Sequence, residues 1–264
     1  MTSQGLGDLP SELHCDQRDD VLTLTLARPE KRNALNDTMI QGIERIFRRL
    51  PDGVRVVVLN AEGGHFCAGL DLAEMTERDT LAGVHHSRMW HRAFDAMAHG
   101  PVPVISVLKG AVIGGGLELA AATHIRVAEP STFYGLPEGQ RGLFVGGGAS
   151  VRVPRLIGLS RMMDMMLTGR RHDADEGLRL GLSQYLVGDG EGSDVAADIA
   201  GKVASNAEQT NFAVLQALPR IASMAPSDGL FVESLMAAIA QGTDDAKRRM
   251  ADFLAPEARG GRSE

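Results

Sequence analysis

Two glutamates and the turns that precede them carry the chemistry open to this chain. Glu118 lies in Gly114-Gly115-Gly116-Leu117-Glu118-Leu119-Ala120, and Glu138 lies in Gly135-Leu136-Pro137-Glu138. A third element, His65-Phe66-Cys67-Ala68-Gly69-Leu70-Asp71, stands upstream of both. An apolar strand over 102–108 that turns through 110–116 into a helix leaves the N–H groups of Gly115 and Gly116 near a helix start. Those are orphan donors reinforced by the helix dipole, and they suit a carbonyl oxygen that gains negative charge. Burial among leucines and alanines, or a second carboxylate nearby, raises a glutamate pKa toward the range useful for general acid–base catalysis. Two carboxylates with two such donors suit proton transfer on a thioester through an enolate. Singly, each piece also fits a plainer role: a packing turn, a solvated acid, or an Asp71 that caps a helix start.

The other reactive side chains offer less. Cys67 has no histidine placed by sequence to activate it and reads as a small apolar filler. His85, His86 and His91 share one helical stretch, but no pair stands at the i,i+4 spacing of a metal site, so they read as surface or pocket-lining groups. No metal site is expected. Met162, Met163, Met165 and Met166 fit core packing or the wall of an acyl pocket.

Alternating Val21-Leu22-Thr23-Leu24-Thr25-Leu26 predicts a half-buried strand, and the apolar runs 54–59 and 102–108 predict buried ones. Asn36 or Asp37 can cap a helix in which Met39, Ile43, Ile46, Phe47 and Leu50 recur. A second helix is expected over 81–98 and a further strand over 125–128. Residues 1–19 are polar, with a start expected to fray. Strand and helix alternate to about residue 190, which predicts α/β. Beyond that the pattern is helical over 194–205, 208–222, 228–241 and 243–254. The expected division is a core over 1–193 and a helical region over 194–264 with a disordered tail from Arg259.

At 264 residues with 44% hydrophobic content, the chain can bury a full core as one large domain with an appendage. A net charge of −7 argues against nucleic acid or an anionic membrane as the main partner. Two cysteines without metal spacing fit a reducing compartment, and no apolar run reaches 18 residues. A soluble, cytoplasmic protein is the expectation.

Several motifs occur in order. They are Arg28-Pro29-Glu30-Lys31-Arg32-Asn33-Ala34-Leu35, Phe66-Cys67-Ala68-Gly69-Leu70-Asp71-Leu72, Pro103-Val104-Ile105 with Gly110, the triple-glycine segment through Glu118, and Leu167-Thr168-Gly169. From about residue 15 to 255 the chain resembles the crotonase (enoyl-CoA hydratase/isomerase) superfamily. The resemblance implies an α/β spiral of ββα turns with a helical C-terminal trimerisation region, and assembly as a trimer or dimer of trimers. It assigns Glu118 and Glu138 as the catalytic pair, the N–H groups of Ala68 and Gly115 as the oxyanion hole, and Gly146 as the amide near the attacking water. Lys31, Arg32, Ala68, Asp71 and Leu72 become candidates to bind the acyl-CoA thioester, whose coenzyme A is substrate rather than a separate cofactor. Ala73 stands where the family usually has a lysine. The implied activity is hydration of a trans-2-enoyl-CoA. The alternatives are a Δ3,Δ2-enoyl-CoA isomerase, which needs one carboxylate, and a non-catalytic acyl-CoA-binding protein.

Overall fold

In the computed structural model, which describes residues 9–74 and 79–255, the chain divides into two compact units, one ending at Ala204 and one beginning at Ser205. The first unit is built on two sheets. Strands β1 (Leu13–Arg18) and β2 (Val21–Leu26) pair antiparallel, with Leu13 opposite Leu26. β3 (Val56–Ala61) and β4 (Val104–Leu108) extend that sheet in parallel. The chain then leaves through β5 (Ala111–Ile113), returns as β6 (Ile125–Ala128) beside β4, and leaves again through β7 (Phe133–Gly135), which pairs in parallel with β5. β8 (His172–Asp173) closes the small sheet antiparallel to β7, and β9 (Tyr185–Leu186) forms the far edge of the large one beside β6. The orders are β1-β2-β3-β4-β6-β9 and β5-β7-β8.

Helices α1 (Asp37–Arg48), α2 (Thr80–Ala98), α3 (Gly115–Ala120), α4 (Ala149–Ile157), α5 (Leu159–Thr168) and α6 (Ala174–Leu180) connect these strands, and α7 (Gly192–Ala204) follows the last of them. Asn36 is the cap of α1, its Oδ1 accepting the Met39 N–H at 2.8 Å. Below that cap Met39, Ile40, Ile43, Ile46 and Phe47 turn one buried face inward. The central strands are buried on both faces, which explains their nearly unbroken apolar runs. Alternate side chains separate cleanly, as a period of two requires. Val57, Leu59, Val104 and Leu108 enter the main core with α1 and α2, whereas Val56, Val58, Ile105 and Val107 enter a smaller core with Ala196, Ile199, Ala200 and Ala204 of α7.

Two sequence expectations change. The polar start at 1–19 contains a strand, β1, because an edge position lets His14, Asp16 and Arg18 stay near solvent while Leu13 alone is fully packed. Residues 194–204, expected to open the C-terminal appendage, instead cover the second face of the large sheet as α7, so the first unit runs to Ala204.

The second unit is helical. Glu208–Phe212 continues through a π-turn at Ala213–Ala217 into Leu218–Ile221, followed by Pro226–Gly242 and Asp244–Leu254. Pro219 has no N–H to give that first helix, which accounts for its irregular ladder. The tail from Arg259 lies outside the described residues. Among the described residues no helix is long and apolar enough to cross a membrane.

Candidate active site

A cavity of about 430 Å³ opens where the loop 67–72, the turn into α3, one face of α2 and the segment 137–147 meet. The loop is fixed there by pairing. Cys67 N–H donates to the Ala111 carbonyl at 2.9 Å, and Ile113 N–H donates to the Cys67 carbonyl at 3.1 Å, so the loop acts as a further partner of β5. β5 runs directly into Gly114 and α3. That order places the amides of the loop and of the helix start side by side. A Cβ on Gly115 would stand 3.4 Å from the Leu70 nitrogen, and one on Gly69 would stand 3.4 Å from the Gly115 nitrogen.

The donors differ from expectation in one respect. Ala68 lines the cavity, but its N–H is already bonded to the Arg32 carbonyl at 3.0 Å, so it is not free for a ligand oxygen. Leu70 and Gly115 also line the cavity, and among the described residues neither N–H has a hydrogen-bond partner. The pair of open donors is therefore Leu70 with Gly115, two residues further along the loop than the expected one. Sequence gives no signal of this, because Arg32, which engages Ala68, lies far upstream in a tight turn at φ 51°.

Both glutamates reach the cavity, in unlike settings. Glu118, 4% exposed, accepts two amides on one oxygen: Gly147 N–H at 2.8 Å and Ala149 N–H at 3.0 Å from its Oε1. Burial pushes its pKa up, while these amides and the Arg152 guanidinium act in the opposite direction. Glu138 follows Pro137 at the start of a 3-10 turn, Pro137–Arg141, where the fixed φ of proline suits the first helical position. Its Oε2 is buried and has no hydrogen-bond partner among the described residues. Burial first, and the charge of Glu118 as well, push Glu138 up to about 7. Burial thus raises both carboxyls, the two amide bonds to the Glu118 side chain oppose the rise there, and two such neighbours titrate as a pair.

The remaining expected residues separate. Gly146 lines the cavity, its carbonyl accepting from Ser87 Oγ at 2.6 Å. Leu72, 61% exposed, lines the cavity too. Asp71 points away from it: one carboxylate oxygen pairs with Arg28 at 2.7 Å and the other caps the Ala73 N–H at 3.0 Å, so it braces the loop. Lys31 and Arg32 are exposed and do not line the cavity. Cys67 is fully buried and burial raises its thiol to about 12, consistent with a filler. The face of α2 supplies Gly83, Ser87 and Trp90, which the sequence did not single out, beside His86, expected as a surface or pocket-lining group, whose Nε2 lies 2.7 Å from Asp37 Oδ1. Their spacing of three and four residues is the available signal, though it is equally that of ordinary core packing.

Known proteins resemble this chain in sequence and fold. The family model described as Enoyl-CoA hydratase/isomerase matches residues 16–258. The enoyl-CoA hydratase EchA19 of Mycobacterium tuberculosis is 30% identical over 250 residues, which cover 91% of this chain and 94% of that one. The short-chain-enoyl-CoA hydratase of Clostridium acetobutylicum is 30% identical over 242 residues, covering 90% and 93%. A crystal structure from Rhodopseudomonas palustris CGA009, itself assigned only provisionally as an enoyl-CoA hydratase, superposes with a TM-score of 0.92 at 55% identity and covers 94% of this chain and 96% of its own.

Proposed function

The chain belongs to the enoyl-CoA hydratase/isomerase family and has the α/β crotonase fold with a helical C-terminal region, and we propose that it adds water across the 2,3 double bond of a trans-2-enoyl-CoA thioester. The observation that carries this is the asymmetry of the two carboxylates. Glu118 is anchored through two backbone amides, which favour its ionised form, while Glu138 keeps an unpartnered oxygen and a pKa of about 7. Addition of water needs that division: a base for the water and an acid for the carbon.

In the proposed mechanism the thioester oxygen accepts from Leu70 N–H and Gly115 N–H, which draws electron density from C3. Glu118 takes a proton from a water as that water attacks C3, with the Gly146 amide beside the water. The enolate oxygen is held by the two amides until Glu138 delivers its proton to C2. The hydroxyl then sits on C3 and the new hydrogen on C2. Glu118 has gained one proton from water and Glu138 has given one to product, so a proton passed from the first to the second resets the pair. The proposed assembly is a trimer or a dimer of trimers, supported by the exposed apolar side chains Leu230, Phe231, Leu235 and Ile239 on the helix Pro226–Gly242, and light scattering of the purified protein reads it directly.

Purified protein offered crotonyl-CoA, a longer 2-enoyl-CoA and a 3-enoyl-CoA tests the function. Formation of 3-hydroxyacyl-CoA from the 2-enoyl substrates supports hydration. Conversion of the 3-enoyl substrate alone would reassign the protein as an isomerase, and binding without turnover of any of them would remove both activities.

A further inference from the structure

Glu118 is held by backbone, and that backbone is itself held. The peptide between Gly146 and Gly147 presents its N–H to Glu118 Oε1 at 2.8 Å, while its carbonyl accepts from Ser87 Oγ at 2.6 Å. In the next peptide the Gly147 carbonyl accepts from Arg152 Nη1 at 3.1 Å, and just beyond it the Ala149 N–H gives Glu118 Oε1 its second bond at 3.0 Å. Arg152 is fixed in turn by Asp95, with Nη2 2.6 Å from Oδ1. The segment concerned is three consecutive glycines, Gly146-Gly147-Gly148, the least restrained backbone a chain can offer. Left alone, such a segment would not keep its amides aimed at one oxygen.

We propose that Ser87 and Arg152 are positioning residues for Glu118, locking the Gly146 and Gly147 carbonyls so that the Gly147 and Ala149 N–H groups stay directed at the carboxylate; the role rests on Glu118 being the base of the proposed hydration. A carbonyl that accepts a hydrogen bond also makes the N–H of its own peptide a stronger donor. Ser87 and Arg152 thereby act on Glu118 without touching substrate. The charged and titratable groups around this unit are Glu138 from the turn 137–141, Arg152 from α4, and His91 and Asp95 from α2; His91 Nε2 lies 3.4 Å from Ser87 Oγ. α2 thus serves both as a cavity wall and as the support of the base, and nothing in a single glutamate's sequence context foretells that dependence.

The test reads the Glu118 carboxyl directly. Infrared pH-difference spectra of the substrate-free protein, after subtraction of those of Glu118→Gln, give the titration midpoint of Glu118 independent of turnover. Amide bonds to the charged form lower a pKa, so the midpoint should move up in Ser87→Ala and in Arg152→Gln. Hydration kcat should fall about 5-fold in the first and about 10- to 100-fold in the second, the ranges for a neutral and a charge-assisted hydrogen bond, with KM little changed. Loss of the Arg152 charge alone also raises the midpoint, so Asp95→Asn, which loosens Arg152 and keeps its charge, decides for that residue and serves as well should Arg152→Gln not fold. An unmoved midpoint in any folded variant overturns the proposal, since a merely structural contact would alter stability and leave the titration in place. A shifted midpoint in a protein that hydrates no enoyl-CoA would instead uphold the anchoring and count against the function alone.

Discussion

Glu138→Gln should stabilise the protein in alkaline solution and leave it nearly unchanged in acid. The Glu138 carboxyl is pushed from 4.5 up to about 7, chiefly by burial and further by the charge of Glu118. A folded-state pKa above the unfolded value means that the folded protein binds the extra proton, so ionising the group penalises folding. The penalty is absent below about 4.5, grows as pH rises, and is complete above about 7. The full difference corresponds to roughly 3 kcal/mol. Glu138 is only partly buried, so solvent screening leaves about 1–2 kcal/mol of it. Glutamine keeps the shape and never ionises. Its Tm should therefore exceed that of the unaltered protein by roughly 2–8 °C at pH 8.5, with the two converging at pH 4.5. Thermal unfolding followed by circular dichroism at the two pH values measures this. Equal Tm differences at both would show that Glu138 is not held in a setting hostile to its charge, and the assignment of the proton to it would fall.

Replacing the Leu70 amide by a backbone ester, which removes the N–H alone, should lower hydration kcat by roughly 10²- to 10³-fold, the cost of one oxyanion donor; the same replacement at Ala68 should cost far less, as steady-state kinetics would show. Gly147→Ala places a Cβ 2.8 Å from Glu118 Oε2 and 3.1 Å from Phe94 Cε2, so the carboxylate must move; a displacement near 1 Å should cost about 10²-fold in kcat, while unchanged turnover would mean that Glu118 need not be held. Asp71→Asn breaks a pair with Arg28 at 2.7 Å whose carboxylate is 8% exposed, and should destabilise the protein by about 2–3 kcal/mol at pH 7. The Ala73 amide and Arg28 hold Asp71 below the usual carboxylate range, so this stabilisation is present above the unfolded pKa and disappears as pH falls through the folded one; denaturant melts at pH 7 and pH 3 check the sign.

Much of the core was legible because the hydrophobic period was strong. Leu22, Leu24 and Leu26 alternate and do form β2, and the apolar run over β4 is covered on both faces. β1 escaped because an edge strand keeps polar side chains, and β5, β7, β8 and β9 escaped because two or three residues carry no measurable period. α7 was seen as a helix but misplaced in the architecture, since its alanines and Ile199 do not say which surface they will cover. At the site, Glu118, Glu138, Gly115 and Gly146 meet in one cavity as the motifs implied. The choice between Ala68 and Leu70 was hidden, because it turns on a backbone bond to Arg32 across the fold. Ser87 and Arg152 were hidden for the same reason: their partners are glycine carbonyls, which leave no mark in a sequence.

The central claim is that Glu118 and Glu138 divide base and acid roles in adding water to a 2-enoyl thioester. Hydration of crotonyl-CoA in H₂¹⁸O and D₂O by the unaltered protein, Glu118→Gln and Glu138→Gln tests it most directly. The product of the unaltered protein should carry ¹⁸O at C3 and deuterium at C2, with kcat about 10²- to 10⁴-fold lower in each variant. Full hydration by either glutamine variant, or deuterium exchange at C2 and C4 with no ¹⁸O incorporated, would contradict it.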